Sequence, residues 1–359
     1  MLDRPALLSL IPRLAGRRIA VVGDVCLDEY LVGRATRLSR EAPVPVLEFA
    51  RRFTVPGGAA NPARNVLALG GCPLLVSVVG DDEAGRDLRR QLGEEGVDVS
   101  GIAVDASRET TVKTRVLAEV SLRFPQQVAR LDRQDRRPLD PSAVRQLANR
   151  LGWVVSEVEA VLVSDYQGGV VTDELAAAVA NLAAARARLA TADTQGSLLK
   201  FRGYTVVKAN QPDTERCLGA RLGDEESFRR AGLELISRLG VRAVVITRAS
   251  EGLSLVEPEG YLHVPAANRT DVFDTTGAGD TIIAVLTQAL AAGSGLREAA
   301  ALANLAAGLV VRKLGNATVS PEELTQFAAS LGRDGPNPLG PFPSREGGTP
   351  PPFPRAEGG

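Results

Sequence analysis

The chain has 359 residues, 44% hydrophobic and 24% charged, and its 42 basic and 43 acidic side chains leave a formal net charge of −1. This is ordinary soluble composition, enough for one large domain with an appendage or for two modest ones, and the balanced charge excludes nucleic-acid binding of the electrostatic kind. Cys26, Cys72 and Cys217 form no CxxC pair and His263 is the only histidine, which leaves no disulfide framework, no cysteine or two-histidine zinc site, and a carboxylate as the expected general base; a reducing, cytoplasmic setting fits.

The N-terminal stretch MLDRPALLSLIPRLAG mixes charge into its apolar positions and lacks a signal peptide's hydrophobic region. No apolar run reaches the roughly 20 residues of a membrane span, so no membrane partner is expected. Residues 17–23 (RRIAVVG) read as a buried first strand. From Asp24 to Phe53, and again over residues 110–131, the sequence alternates as strands with one wet face do, which predicts one small sheet outside the main fold. Elsewhere apolar strands (LLVSVVG, AVLVSDY, ARLATAD, YTVVKAN, AVVITRA) alternate with helical segments such as DEAGRDLRRQLGEEG and ELAAAVANLAAARARL. That alternation predicts a parallel sheet covered by helices on both faces, with ligands beyond the carboxyl ends of the strands, where Asp165, Asp193, Asn210 and Thr247 fall. Two helices are expected at Asp280–Ala292 and Leu296–Lys313, and a disordered tail at 331–359, where Pro and Gly dominate.

The chemistry concentrates in residues 271–280, DVFDTTGAGD, directly ahead of the apolar helix TIIAVLTQAL. Gly277, Ala278 and Gly279 allow successive backbone N–H groups to point one way at a helix N-terminus, an anion cradle, and Asp280 beside them is placed to accept a proton from an alcohol. The same residues also read as a Gly-rich helix start with a capping aspartate. Only four of the basic residues are lysines, Lys113, Lys200, Lys208 and Lys313, so each is easily traced.

DTTGAGD resembles the C-terminal signature of the PfkB/ribokinase superfamily of carbohydrate kinases, and GGAANPARNVLALG (57–70) resembles its N-terminal signature, about 220 residues earlier. The resemblance runs over residues 17–325 and is nearest to the kinase domain of the bacterial heptose-7-phosphate kinase/adenylyltransferase branch, through VVGDVCLDEYLVG, RLSREAPVPV, PGGAAN, TRVL, RLD, LVSDY, ITR (246–248), DTTGAGDT and KLGNATVS. It implies an α/β ribokinase-like three-layer sandwich over residues 1–330, with a mostly parallel central sheet and a small β-sheet lid from segments near 24–56 and 105–132, and a homodimer paired through the lids. The implied activity is phosphorylation of a sugar or sugar phosphate by ATP with Mg²⁺, on heptose 7-phosphate if the branch holds; a monovalent cation is left open. Another sugar or nucleoside acceptor, or a catalytically weak binding protein, are the alternatives. The branch's adenylyltransferase half carries an HxGH-like motif, which one histidine in HVP context does not supply, so a separate polypeptide is expected to perform that step.

Residue by residue, the resemblance implies Asp280 as base with Gly277, Ala278 and Gly279 as anion hole. Asp28, Gly57, Gly58, Asn61 and Arg130 would meet the sugar, with Asp24 less firmly among them. Asn210, Thr247, Gly252, Gly277, Gly279 and Asn304 would face ATP, and Asn210 with Asp213 would reach Mg²⁺ through water. Three departures stand out. Asp213 replaces the superfamily's glutamate, and the branch's DYxKG and DPKG strings here are DYQGG (165–169) and DTQG (193–196), so Gly168 and Gln195 stand where lysines do. Both lost lysines would be mobile charges near phosphate, and Arg37, Arg40, Arg115 and Arg130 of the lid are the candidates to replace them.

Overall fold

The computed structural model describes residues 4–119, 125–268, 272, 274–313 and 315–330. Arg18–Gly23 (β1), Cys72–Val79 (β4), Ile102–Val104 (β5), Ala160–Asp165 (β8), Leu189–Thr194 (β9), Val206–Asn210 (β10) and Ala243–Thr247 (β11) pair side by side in parallel, in the order β5-β4-β1-β8-β9-β10-β11. Leu253–Glu257 (β12) and Gly260–Val264 (β13) continue the sheet beyond β11 as an antiparallel hairpin. A second sheet holds Val25–Leu38 (β2), Pro45–Gly58 (β3), Val112–Glu119 (β6) and Gln126–Arg133 (β7) in the order β3-β2-β6-β7, antiparallel except where β2 meets β6. These are the two segments whose alternation predicted a small sheet. The expected tail at 331–359 and Asp271 of the signature lie outside the described residues.

Central strands such as β1 and β8 are buried on both faces, which is why their sequences run apolar without alternation. Helices Ala60–Ala68, Ala278–Ala291 and Leu296–Val310 close one face of the large sheet, and Pro141–Glu157, Asp173–Ala185 and Glu225–Leu239 close the other, each over its own apolar core. The last two long helices differ slightly from expectation. One starts at Ala278, because Gly277 takes a left-handed φ of +79° as its N-cap, and the other stops at Val310.

The chain passes from the large sheet to the small one through a single residue. Asp24 separates β1 from β2, and its buried carboxylate accepts backbone N–H groups of Tyr166, Gly168 and Val170, all at 2.9 Å, from the turn after β8. Its carbonyl accepts from Ala59 N–H at 2.8 Å, which docks the start of helix Ala60–Ala68. Gly58, at φ +61°, lies against that carbonyl with no room for a Cβ. Asp24 thus knits the crossover to the β8 turn, and it also borders the cleft beside that turn. Asp24→Ala leaves three amides without an acceptor, and urea unfolding should show a loss of about 3 kcal/mol.

Candidate active site

The start of helix Ala278–Ala291 meets the carboxyl ends of β8, β9 and β10. Asp280, in its first turn, is buried. Its Oδ2 accepts from Asn61 Nδ2 at 2.7 Å and its Oδ1 from the Tyr166 hydroxyl at 2.6 Å. Burial raises this carboxyl to about 6, with the negative charge of Asp193 adding and the bonds from Tyr166 and Asn61 and the charge of Lys208 opposing. Asn65 Nδ2 donates to the Asn61 side-chain Oδ1 at 3.3 Å as well as to its backbone carbonyl at 3.0 Å, which turns the Asn61 Nδ2 towards Asp280.

The amides of a helix's first turn have no acceptor within the helix. Here Ala278 N–H turns back to the Thr275 carbonyl at 3.3 Å and Thr281 N–H bonds Gly277 at 2.9 Å. Of the Gly277, Ala278 and Gly279 amides expected to form the cradle, that of Ala278 is therefore engaged by the chain's own turn. A Cβ at Gly277 would stand 2.6 Å from Asn61 Nδ2, and one at Gly279 would stand 3.1 Å from Lys208 Nζ. Lys208 pairs with Asp193 at 2.6 Å, both side chains nearly enclosed, directly beside the cradle.

A mostly apolar cavity of about 300 Å³ runs from the cradle between Thr247, Gly252, Gly279, Ile282, Asn304 and Gly308. Four of the residues expected to face ATP share it, although Asn304 Nδ2 is engaged by the Pro265 carbonyl at 2.8 Å. Asn210 caps helix Gln211–Leu218 by accepting from Asp213 N–H at 2.7 Å, and its Nδ2 donates to the Asp213 carboxylate at 2.8 Å. Among the described residues, no three His, Cys, Asp or Glu side chains gather as a metal cluster. Arg216 reaches the other Asp213 oxygen at 2.7 Å, so a hydrated Mg²⁺, which dehydrates reluctantly, would meet this pair only through its own waters.

On the opposite side, a cleft of about 160 Å³ is lined by Gly58, Lys113, Arg130, Arg136, Tyr166 and Gln195. Lys113 Nζ lies 5.2 Å from the Tyr166 ring centre and pairs with no carboxylate among the described residues. Arg136 bonds Gln134, while Arg130 forms a two-point pair with Asp132 at 2.7 Å. Asp28 is enclosed: Arg115 reaches its Oδ1 at 2.7 Å, Asn316 its Oδ2 at 2.6 Å, and Gly57 leaves no room for a side chain against it.

The chain matches the pfkB family carbohydrate kinase profile over residues 17–323. It belongs to the pfkB family of carbohydrate kinases. It is 42% identical over 325 residues to "Bifunctional protein HldE" of Geobacter metallireducens, covering 90% of this chain and 65% of that protein. The protein of the same name from Paramagnetospirillum magneticum is 39% identical over 326 residues, 90% and 66% of the two chains. This chain thus spans about 65% of the length of such relatives. Two solved structures share its fold: Arabidopsis thaliana ribokinase complexed with ribose and ATP (TM-score 0.68, 19% identity, 88% of this chain and 99% of that one) and Escherichia coli phosphofructokinase-2 with substrates and products (0.72, 21%, 89% and 100%). Among the described residues no helix is long and apolar enough to cross a membrane.

For this pfkB kinase, sequence reasoning overlooked Tyr166, Lys208, Lys113 and Asn316. Lys208 carried a signal, a lysine inside the apolar strand VVKAN in a chain with only four. The structure also qualifies the two lost lysines. Asp165 and Asp193, which open the DYQGG and DTQG strings, pair with Lys200 and Lys208 at 2.7 and 2.6 Å. A side chain at Gly168 would begin 2.9 Å from the Asp24 carboxyl carbon. Lys208→Met strands a desolvated Asp193, and denaturant unfolding should record a loss of about 3 kcal/mol that Lys208→Met with Asp193→Asn largely restores.

Proposed function

We propose that this carbohydrate kinase transfers the γ-phosphoryl group of ATP to a hydroxyl of a phosphorylated sugar, with D-glycero-D-manno-heptose 7-phosphate going to the 1,7-bisphosphate as the acceptor implied by the sequence resemblance. The observation that carries the phosphosugar reading is the cleft of Lys113, Arg130 and Arg136, because it adjoins Tyr166, whose hydroxyl touches Asp280. Lys113 and Arg136, which have no carboxylate partner among the described residues, in a cleft next to a buried carboxylate suit a substrate whose phosphate end is anionic and whose other end carries the reacting hydroxyl.

Asp280 takes the proton of the acceptor hydroxyl as its oxygen attacks the γ-phosphorus, and ADP leaves from the side of the apolar cavity. The Gly279 and Asp280 amides receive the charge that spreads over the transferring group. Asn61 holds the base, and Asp28, held by Arg115 and Asn316, offers its remaining carboxylate lone pairs to sugar hydroxyls. Thr247, Gly252 and Asn304 border the nucleotide. Mg²⁺, held through water by Asn210 and Asp213, neutralises phosphate charge when bound. Closure of the small sheet would keep water from the γ-phosphate. Leu38, Phe49 and Leu131 on that sheet, each about 70% exposed, support pairing with a second copy of the chain.

ADP release across a panel of sugars and sugar phosphates tests this reading. Turnover should require a phosphorylated acceptor, and Asp280→Asn should lower it by about 10²- to 10⁴-fold without unfolding the chain. Because the base works deprotonated, kcat/KM should fall below a midpoint near pH 6, where the Asp280 carboxyl takes up its proton. Lys113→Met should raise KM for the phosphosugar about 10-fold or more and leave KM for ATP unchanged. Turnover only with unphosphorylated sugars would overturn the phosphosugar reading.

A further inference from the structure

Tyr166 stands one residue past β8. Three elements fix it: its backbone N–H is held by Asp24 at 2.9 Å, its ring lies under Lys113 of β6, and its hydroxyl donates to Asp280 at 2.6 Å. Burial first, then the negative charge of Asp280, push the phenol well above the usual tyrosine range. It is therefore a neutral donor at every pH near neutrality. With Tyr166 on Oδ1 and Asn61 on Oδ2, each carboxylate oxygen keeps a further lone pair for another donor.

We propose that Tyr166 is a positioning residue for the base, its hydroxyl holding the Asp280 carboxylate ionised and correctly turned towards the acceptor. The proposal rests on the reading of Asp280 as base. A hydroxyl donates more strongly to a carboxylate than to a carboxylic acid, so the bond favours the ionised form that burial disfavours. The other groups facing Asp280 do less. Asp193 from β9 and Lys208 from β10 have opposite charges and neutralise each other as a pair. Cys26 of β2 is pushed up to about 12 by burial and stays neutral, and Asn61 does not titrate. The Tyr166 bond is the strongest influence opposing burial. A tyrosine serving only as filler needs no hydroxyl aimed at the one buried carboxylate of the helix start.

The test uses the chain labelled with ¹³C at aspartate carboxyls, Asp280 being assigned by the signal lost in Asp280→Asn. In Tyr166→Phe the Asp280 titration midpoint should rise by about 0.5 to 1 pH unit, the size expected for removing one hydrogen bond to a charge. The acidic limb of kcat/KM should move up with it, and kcat should fall about tenfold while KM for the acceptor stays within about twofold. 3-Fluorotyrosine at 166, a more acidic donor, should move the midpoint down, and it supplies the measurement if Tyr166→Phe does not fold. An unmoved midpoint in both proteins overturns the proposal, as does a raised acceptor KM with an unmoved limb, which would make Tyr166 a sugar contact. The two readings fail separately: absence of turnover with every phosphosugar removes the kinase substrate reading, whereas the midpoint needs no substrate.

Discussion

One carboxylate, Asp280, is taken out of water at the start of a buried helix and held there by side chains from two other parts of the chain. An isolated buried carboxylate is costly, so the surroundings must supply donors. Asn61, from the helix that follows the small sheet, and Tyr166, from the turn after β8, each supply one. Those donors are themselves held: Asn65 orients Asn61, and Asp24 grips the backbone of Tyr166. The architecture around the cleft can be followed outwards from this carboxylate through hydrogen bonds.

Charge in the cleft is arranged in pairs, with selected exceptions. Asp193 with Lys208, Asp165 with Lys200 and Asp28 with Arg115 are nearly enclosed, so each would destabilise the fold if one partner were removed. Lys113 and Arg136 lack carboxylate partners among the described residues, and both border the same cleft. Positive charge is thus neutralised beside Gly279 and left available on the small-sheet side, the polarity that suits the phosphorylated acceptor proposed above.

Legibility differed by interaction range. Strand and helix order was readable because apolar period and turn residues are local properties, and the small sheet was readable because its alternation differs from the continuous runs of buried strands. The two signatures were readable because glycines mark places where backbone approaches backbone or ligand. Side-chain partners were not readable. Asn61 looks like a hydroxyl reader in its own string and is turned to Asp280 by Asn65. Asp24 looks like a ligand residue and is saturated by three amides of a turn roughly 140 residues away. The Ala278 amide of the expected cradle is taken by a turn of the chain itself.

By itself the sequence determined the layered α/β class, the family, the helix that begins near Asp280 and the scarcity of lysine that makes each one traceable. Tertiary structure decided which of the carboxylates are free and which are paired, that Lys208 lies beside Gly279, and that Tyr166 reaches Asp280. The reason is physical. Propensity and periodicity act over a few residues, whereas hydrogen bonds and ion pairs form between groups that only the packing of distant strands brings within about 3 Å.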